Sequence, residues 1–224
     1  MDWQAIFLSL KLAAATTAIL LALGVPLAWW LATSTRRWKF VLEAVVALPL
    51  VLPPTVLGFY VLLALGPRSP IGALYLRLTG GTLPFSFAGL LIGSVLYSLP
   101  FTVQPVAASF AALDRRLIEA SWCLGVSRAA TFRRVVLPLA RPGIATGAIL
   151  SFAHTLGEFG VVLMVGGNIP GITRTASISI YDQVQALDYA SAGATSLFLL
   201  LFSFLVLVLT YSLQRRAWAP WPTN

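Results

Sequence analysis

The sequence is poor in charge, cysteine and histidine, and these shortages exclude several classes of protein. Only 10% of its 224 residues are charged, whereas a soluble globular domain carries about 25%. It has one cysteine, Cys123, and one histidine, His154, which excludes an internal disulfide framework and a multi-cysteine metal site. With so few reactive groups and no clustered carboxylates, a membrane enzyme is the least favoured class. We expect no catalytic residues, no metal site and no cofactor bound by this chain.

Hydrophobic residues, in contrast, make up 58% of the chain and form five long runs. The runs are residues 5–32, 40–65, 85–113, 142–165 and 189–213. At 1.5 Å per residue, each is long enough to cross a hydrocarbon core of roughly 30 Å. Backbone groups in lipid must pair within their own segment, so each run is expected to be a helix. We therefore predict an all-α, polytopic membrane helix bundle with about five transmembrane helices, as a single domain over residues 1–224.

The basic residues fall mainly on one predicted side of the membrane. Eleven of the fifteen Lys and Arg follow spans one, three and five: Arg36, Arg37, Lys39, Arg115, Arg116, Arg128, Arg133, Arg134, Arg141, Arg215 and Arg216. Because Lys and Arg are enriched in cytoplasmic loops, we predict an external N-terminus and a cytoplasmic C-terminus. This asymmetry accounts for most of the net charge of +8 without a nucleic-acid partner.

The longest predicted cytoplasmic segment reads as two short helices joined at a glycine. Residues 113–124 have a helical pattern, and Gly125 suits the left-handed position that ends a helix. Ser127 is placed to cap a second helix, which continues through two arginines to Pro138. An amphipathic, basic segment of this kind is expected to lie against the inner membrane surface. A loop that only fixes topology is the alternative, although it would not need ordered helical signals.

Residue identities and spacing in this segment resemble the EAA loop of ABC-type importer permeases. The family pattern is E-A-A, three residues, G, nine residues, then I-x-L-P, and here Ser121 replaces the third small residue and Val135 the isoleucine. In that family the segment is a coupling helix that docks on a cytoplasmic ATPase. The resemblance implies an ATPase-coupling loop at about residues 114–141. Its coupling residues would be Glu119, Ala120, Ser121, Gly125, Leu137 and Pro138.

The chain has no glycine-rich phosphate-binding loop of the form G-x-x-x-x-G-K-[ST]. It therefore lacks a phosphate cradle of that kind. If ATP drives the protein, a partner subunit must bind and hydrolyse it.

Two later stretches narrow the resemblance. Residues 156–160, Leu-Gly-Glu-Phe-Gly, and residues 168–175, Asn-Ile-Pro-Gly-Ile-Thr-Arg-Thr, look like the oxyanion-importer permeases, and closest to the molybdate ones. The likeness runs over about residues 3–213 and implies the type I ABC importer permease (MetI-like) architecture. It also implies a homodimer with the path at the subunit interface, a cytoplasmic ABC ATPase dimer, an extracytoplasmic molybdate-binding protein and a prokaryotic inner membrane.

Other substrates and one other class of transporter stay open. Tungstate, sulfate or thiosulfate would use the same machinery. A secondary transporter would need no ATPase, and it should show internal repeats with broken helices at matching positions. The proline-rich break near Pro53 has no evident counterpart in the later spans, which disfavours that class.

Two intramembrane features are candidates for a gate or translocation path. Pro53 and Pro54 interrupt the second span, and such breaks are tolerated where a helix lines a cavity or packs against protein. In the fourth span, Glu158 follows His154 by four residues, so the two should share a helix face. An intramembrane carboxylate is costly and suggests function, although its charge has the wrong sign to bind an oxyanion.

Together with the neighbouring Phe159 and Gly160, these residues form the candidate path or gate. A kinked helix without a transport role, and a structural His–Glu pair, are the alternatives.

Few cations lie at membrane depth, which argues against a fixed, high-affinity anion site in this chain. We expect a weakly interacting path lined by small and hydroxyl residues, since tight binding would prevent release. The external loop 166–188, with an amphipathic piece at 178–187, is a candidate docking surface or outer lip.

Overall fold

The computed structural model describes residues 1–217, with side chains up to Val208 and at Tyr211. Every regular element in this part of the chain is helical, which confirms the all-α prediction. In chain order the α-helices are α1 (Trp3–Thr33), α2 (Lys39–Val51), α3 (Pro54–Leu65), α4 (Pro70–Thr79), α5 (Phe87–Ala111), α6 (Arg115–Cys123), α7 (Arg128–Thr131), α8 (Leu137–Leu139), α9 (Arg141–Leu156), α10 (Gly160–Gly166), α11 (Ala176–Gln185) and α12 (Tyr189–Ala217). Residues 218–224 of the predicted domain, and the side chains of Arg215 and Arg216, lie outside the described part.

Three of these helices are each long and apolar enough to cross a membrane, namely α1, α5 and α12. Two further pairs of helices pass the same test only when each pair is taken together across a sharp bend. Counting α2 with α3 as one span, and residues 128–139 with α9 as another, brings the total in the described residues to five. The number agrees with the prediction of about five, but the bounds of the fourth span differ from the predicted 142–165.

The centre of the bundle is formed by α1, α5 and α9, which pack along one another. Small residues permit this close approach. A Cβ added at Gly24 of α1 would lie 3.2 Å from the Thr102 side chain of α5, and one added at Gly147 of α9 would lie 3.0 Å from the Thr102 carbonyl oxygen. In lipid, helices associate through such close backbone packing rather than through hydrophobic burial. The other helices are arranged around this three-helix core.

The second predicted span is two helices that meet at a bend of 115°, rather than one kinked helix. Leu52 and Pro53 are both extended, with ψ of 137° and 135°. A residue that precedes a proline is disfavoured in the helical region, and Leu52 and Pro53 are each followed by one. Pro54 then occupies the first turn of α3, where its missing N–H costs no hydrogen bond.

The fourth predicted span, residues 142–165, was wrongly expected to be one helix. It is broken between Leu156, where α9 ends, and Gly160, where α10 begins. The prediction that the break near Pro53 lacks a counterpart in a later span was therefore also wrong. Periodicity could not indicate this break, because α10 is directed by its packing against α3, which is far away in the sequence.

Candidate functional site

The predicted elbow is present, with Gly125 at its corner. The helix α6 begins after Asp114, whose carboxylate accepts a hydrogen bond from the Arg116 N–H at 2.9 Å. Gly125 has a φ of +75°. Its N–H donates to the Trp122 carbonyl at 2.9 Å, and the next N–H donates to the Ser121 carbonyl at 3.1 Å. This is the paired-bond helix ending that favours glycine at the left-handed position, as the sequence predicted.

The second arm of the elbow has about the predicted length but is less regular than predicted. Ser127 caps α7 by accepting a hydrogen bond from the Ala130 N–H at 3.3 Å, which confirms that assignment. The arm then passes through a π-helical turn, Phe132–Val136, into α8. A bend of 69° separates this arm from α9. Turns of this kind are frequent at functional sites, and nothing in the local pattern indicated one.

The two arms are joined by a buried hydrogen bond between Ser121 and Thr131, with 2.9 Å between their hydroxyl oxygens. Both side chains are buried. Behind them, the ring of Phe132 packs against Trp29 of α1 with 5.3 Å between centroids. The elbow is thus held as one unit against the core of the bundle.

The predicted coupling residues divide between two sides of this unit. Glu119, Ala120 and Gly125 are exposed, whereas Ser121 is buried at the joint. Leu137 and Pro138 are half-buried in the second arm. The structure therefore places three of the six coupling residues on the outer surface of the elbow. The other three are buried or half-buried within it.

The elbow presents unpaired positive charge. Its six arginines form no ion pair within 4.0 Å of any carboxylate of the described residues. Arg128 lies over the Trp122 ring, 5.8 Å from its centroid. A cavity of about 420 Å³ lies between the elbow and α1, and Arg115, Glu119 and Arg128 are among the residues that line it. This surface suits an acidic partner.

The two helix breaks meet inside the bundle. A Cβ added at Gly160, the first residue of α10, would lie 2.6 Å from the Cβ of Pro54, the first residue of α3. One turn further along, a Cβ at Gly58 would lie 2.7 Å from the Cβ of Met164. Four of the predicted path residues, Pro53, Pro54, Phe159 and Gly160, are consequently in or beside one junction.

Glu158 also lies at this junction, but it does not share a helix face with His154. That prediction was wrong because α9 ends at Leu156, before Glu158. The Glu158 carbonyl accepts a hydrogen bond from the Ser177 hydroxyl at 2.5 Å. Glu158 as a residue is 4% exposed, and neither carboxyl oxygen has a hydrogen-bond partner among the described residues. The buried Ser94 hydroxyl interacts with it, without reaching hydrogen-bond geometry.

His154 instead faces α5. Its Nδ1 lies 2.9 Å from the Ser98 hydroxyl oxygen, which also lies 2.9 Å from the hydroxyl of Thr155. The ring is stacked on Phe101 with 3.9 Å between centroids, and Tyr97 lies at 4.7 Å. The imidazole is therefore fixed in position by α5 rather than by Glu158.

The predicted sites omitted a column of hydroxyl groups between α5 and α9. Between α5 and α9, Ser98 is hydrogen-bonded to Thr155 and Thr102 to Ser151. Ser94, one turn before Ser98 on α5, is also buried. The signal was available, because hydroxyl residues recur every four positions in both apolar runs. Such spacing puts them on one helix face, where hydroxyl groups commonly join membrane helices.

The loop between α10 and α11 is folded around Arg174. The Arg174 Nε donates to the Asn168 amide oxygen at 2.6 Å, and the Asn168 amide nitrogen donates to Asp182 at 2.5 Å. Arg174 also forms an ion pair with Asp182 at 3.4 Å. The amphipathic piece predicted at 178–187 is helical as α11, so this external-loop candidate is ordered.

A helical bundle with two broken spans and a basic elbow is the fold of solved ABC importer permeases. The fold resembles a solved bacterial ABC transporter involved in alginate import, with a TM-score of 0.77 and 17% identity over 95% of this chain and 78% of that one. It also resembles the MetNI methionine ABC transporter in inward-facing form, with a TM-score of 0.72 and 16% identity over 96% of this chain and 95% of that one. These likenesses confirm the predicted type I, MetI-like fold.

Residues 24–219 match the family of binding-protein-dependent transport system inner membrane components, and the chain belongs to this family. It is 56% identical over 214 residues to the molybdenum transport system permease protein ModB of Azotobacter vinelandii, covering 96% of this chain and 95% of the relative. It is 37% identical over 193 residues to the ModB protein of Escherichia coli K12, covering 86% and 84%. The chain is thus a multi-pass inner-membrane transport subunit, as predicted.

Proposed function

We propose that this protein is the permease subunit of an ATP-driven importer and that it forms the membrane path for molybdate. The observation that carries the substrate is the 56% identity, over 96% of the chain, with a molybdenum transport system permease. Permeases for tungstate, sulfate or thiosulfate are the remaining alternatives, because these oxyanions share the tetrahedral shape and negative charge of molybdate.

The elbow couples the protein to a separate cytoplasmic ABC ATPase dimer, which hydrolyses the ATP. Exposed Glu119, Ala120 and Gly125 form the surface that the ATPase contacts, and the unpaired arginines around them attract its acidic rim. The bond between Ser121 and Thr131, together with Leu137 and Pro138, holds the elbow rigid. A rigid elbow transmits motion, whereas a flexible loop would absorb it.

The path lies at the interface between two copies of the chain. In each copy, the gate is the junction of the two helix breaks. This junction contains Pro53, Pro54, Glu158, Phe159 and Gly160, and His154 lies near the end of the adjoining helix α9. Such breaks are tolerated in membranes where they pack against protein or line a cavity. Alternating access follows when the ATPases close and move the elbows, with the N-terminus outside and the C-terminus in the cytoplasm.

Recognition of molybdate is supplied by an extracytoplasmic binding protein. Weak interaction with the path favours release of the ion. The ordered loop of Asn168, Arg174 and Asp182 is the surface offered to that protein.

Reconstitution of the complete transporter tests this proposal. The permease is purified in detergent with its ATPase, placed in proteoliposomes and supplied with the binding protein and radiolabelled molybdate. We expect the ATPase to co-purify, and uptake to require ATP hydrolysis. Competition with excess tungstate, sulfate and thiosulfate ranks the substrates. Uptake that persists without an ATPase, or that sulfate suppresses more strongly than unlabelled molybdate does, would overturn the assignment.

A further inference from the structure

His154 has one ring nitrogen engaged and one free. Its Nδ1 is bound to Ser98, and the ring is held between Tyr97 and Phe101. No described residue bonds to Nε2, and this atom is not among the buried polar atoms without a partner. Nε2 is therefore open to whatever lies outside the chain, at a position and angle set by three neighbouring side chains.

The bonding around Ser98 is compatible with a proton on Nε2. Ser98 lies 2.9 Å from both His154 Nδ1 and the Thr155 hydroxyl. When Thr155 donates to Ser98 and Ser98 donates to Nδ1, the neutral ring carries its proton on Nε2. A protonated ring also carries one there. In this orientation of the hydroxyl groups, and in the protonated ring, the free side of the imidazole is a hydrogen-bond donor, which is the group an oxyanion requires.

Two more donors lie on the same side of α5. Tyr97, Phe101 and Gln104 follow one another at spacings of four and three residues, which places them on one helix face. Gln104 is exposed, and the Tyr97 ring lies beside His154 with 4.7 Å between centroids. We name Tyr97, Gln104 and His154 the donor face.

Of the donor face, Gln104 also lines a groove between α5, α2 and the end of α1. The groove has a volume of about 410 Å³, and its lining includes Gln104, Ala108 and Lys39. Glu43 lies beside Lys39 in an ion pair of 3.2 Å, so the lysine offsets its charge. The other acidic group near Tyr97, Glu158, is buried. The groove thus has the neutral donor Gln104 in its lining, and it has the paired cation Lys39 at the predicted cytoplasmic end of α2.

We infer that the donor face is a contact site for a tetrahedral oxyanion within the translocation path. His154 Nε2–H and the Gln104 amide donate to the oxyanion, and the groove leads it towards Lys39. The inference rests on the proposed function and specifies where that path meets its cargo. Neutral donors hold an anion without the full attraction of a fixed charge, which suits an ion that must leave again.

If the donor face lies in the translocation path, water must reach it, and this can be measured without a transport assay. Cys123 is the only cysteine, so Cys123→Ser provides a cysteine-free background for single cysteines. We expect Gln104→Cys in the assembled, reconstituted transporter to react with a negatively charged thiosulfonate reagent, and molybdate to slow that reaction. Leu201→Cys is the matched control, because Leu201 is an exposed apolar residue of α12 and should face lipid. If Gln104→Cys reacts no faster than Leu201→Cys, the face is covered by lipid or by the second copy and the inference fails.

A second measurement tests whether His154 acts as a hydrogen-bond donor or only as a packed aromatic ring. His154→Phe keeps an aromatic ring between Tyr97 and Phe101 but removes the N–H, whereas His154→Gln restores a donor. We expect His154→Phe to lower molybdate uptake per ATP hydrolysed by about tenfold, and His154→Gln to recover most of it, as for one hydrogen bond to a charged group. Equal loss in both variants, or uptake within about twofold of the unmodified protein in His154→Phe, would overturn the role of His154. Failure of the unmodified protein to import molybdate would instead overturn the proposed function, since the reaction of Gln104→Cys measured without molybdate does not depend on which oxyanion is carried.

Discussion

Pro54 and Gly160 bring the two broken spans of this protein into direct contact. The Cβ that Gly160 lacks would lie 2.6 Å from the Cβ of Pro54, although more than one hundred residues separate them in the sequence. Each is the first residue of its helix, α3 or α10. A shift of one helix at this contact therefore displaces the other, which makes the junction a natural place for concerted movement.

Replacing Gly160 with alanine should force α3 and α10 apart. Overpacking of this kind typically costs about 1–3 kcal/mol, so we expect a lower thermal midpoint in detergent and reduced uptake. Gly193→Ala is the control, because a Cβ at Gly193 meets nothing within 4 Å. Equal midpoints for the two variants would show that the contact is not tight.

Replacing Gly125 with alanine should uncouple ATP hydrolysis from uptake while leaving membrane insertion intact. The left-handed conformation costs a residue with a Cβ roughly 1–2 kcal/mol, and the elbow relieves this strain by changing its angle. Gly80→Ala is a matched control, since Gly80 has a φ of +73° and equally open surroundings, but it ends α4. The measurement is molybdate uptake per ATP hydrolysed, and similar ratios in both variants would contradict the role of the elbow.

Replacing Glu119 with glutamine addresses the other exposed coupling position. We expect uptake to fall while the protein still inserts and folds, because Glu119 is exposed and contributes little to packing. Co-purification of the ATPase and uptake are measured together. Unchanged transport would count against a contact between Glu119 and the ATPase.

The bond between Ser121 and Thr131 should be detectable as an energetic coupling. Thr131→Val leaves the buried Ser121 hydroxyl without this partner, and a net loss of about 1 kcal/mol is expected. Adding Ser121→Ala should cost less in this background than in the unmodified protein. A double-mutant cycle on thermal stability measures the difference, and strict additivity would mean that the bond contributes nothing.

Glu158→Gln tests whether the buried carboxyl group takes part in gating. Glutamine has nearly the same shape but cannot ionise, so a gating role predicts a loss of uptake of about tenfold or more without loss of the folded protein. Intact uptake in Glu158→Gln would remove the gate hypothesis and leave a structural role.

The elbow could be predicted almost residue by residue because its signals are local. Ser127 caps the helix that follows it within three residues, and Gly125 ends the helix immediately before it. Such preferences act through neighbouring backbone groups, so they can be read from a short stretch of sequence. The π-helical turn at Phe132–Val136 was missed because no residue type specifies it.

The prediction for His154 and Glu158 failed for a related reason. Their spacing of four residues puts them on one face only if the helix continues, and α9 ends between them. Ser98 and Phe101 determine where His154 points, and both belong to another helix. Spacing within one segment carries no information about such partners.

By itself, the sequence determined the membrane environment, the helical class and the presence of a basic elbow. Composition decides whether a chain can enter lipid, and lipid in turn requires each spanning segment to satisfy its own backbone. Only the tertiary structure decided that the break at Pro53 meets the break before Gly160, that Glu158 is enclosed at that junction, and that His154 faces α5 with Nε2 free. These arrangements depend on close packing between segments that are distant in the chain, and they exist only once the helices have assembled.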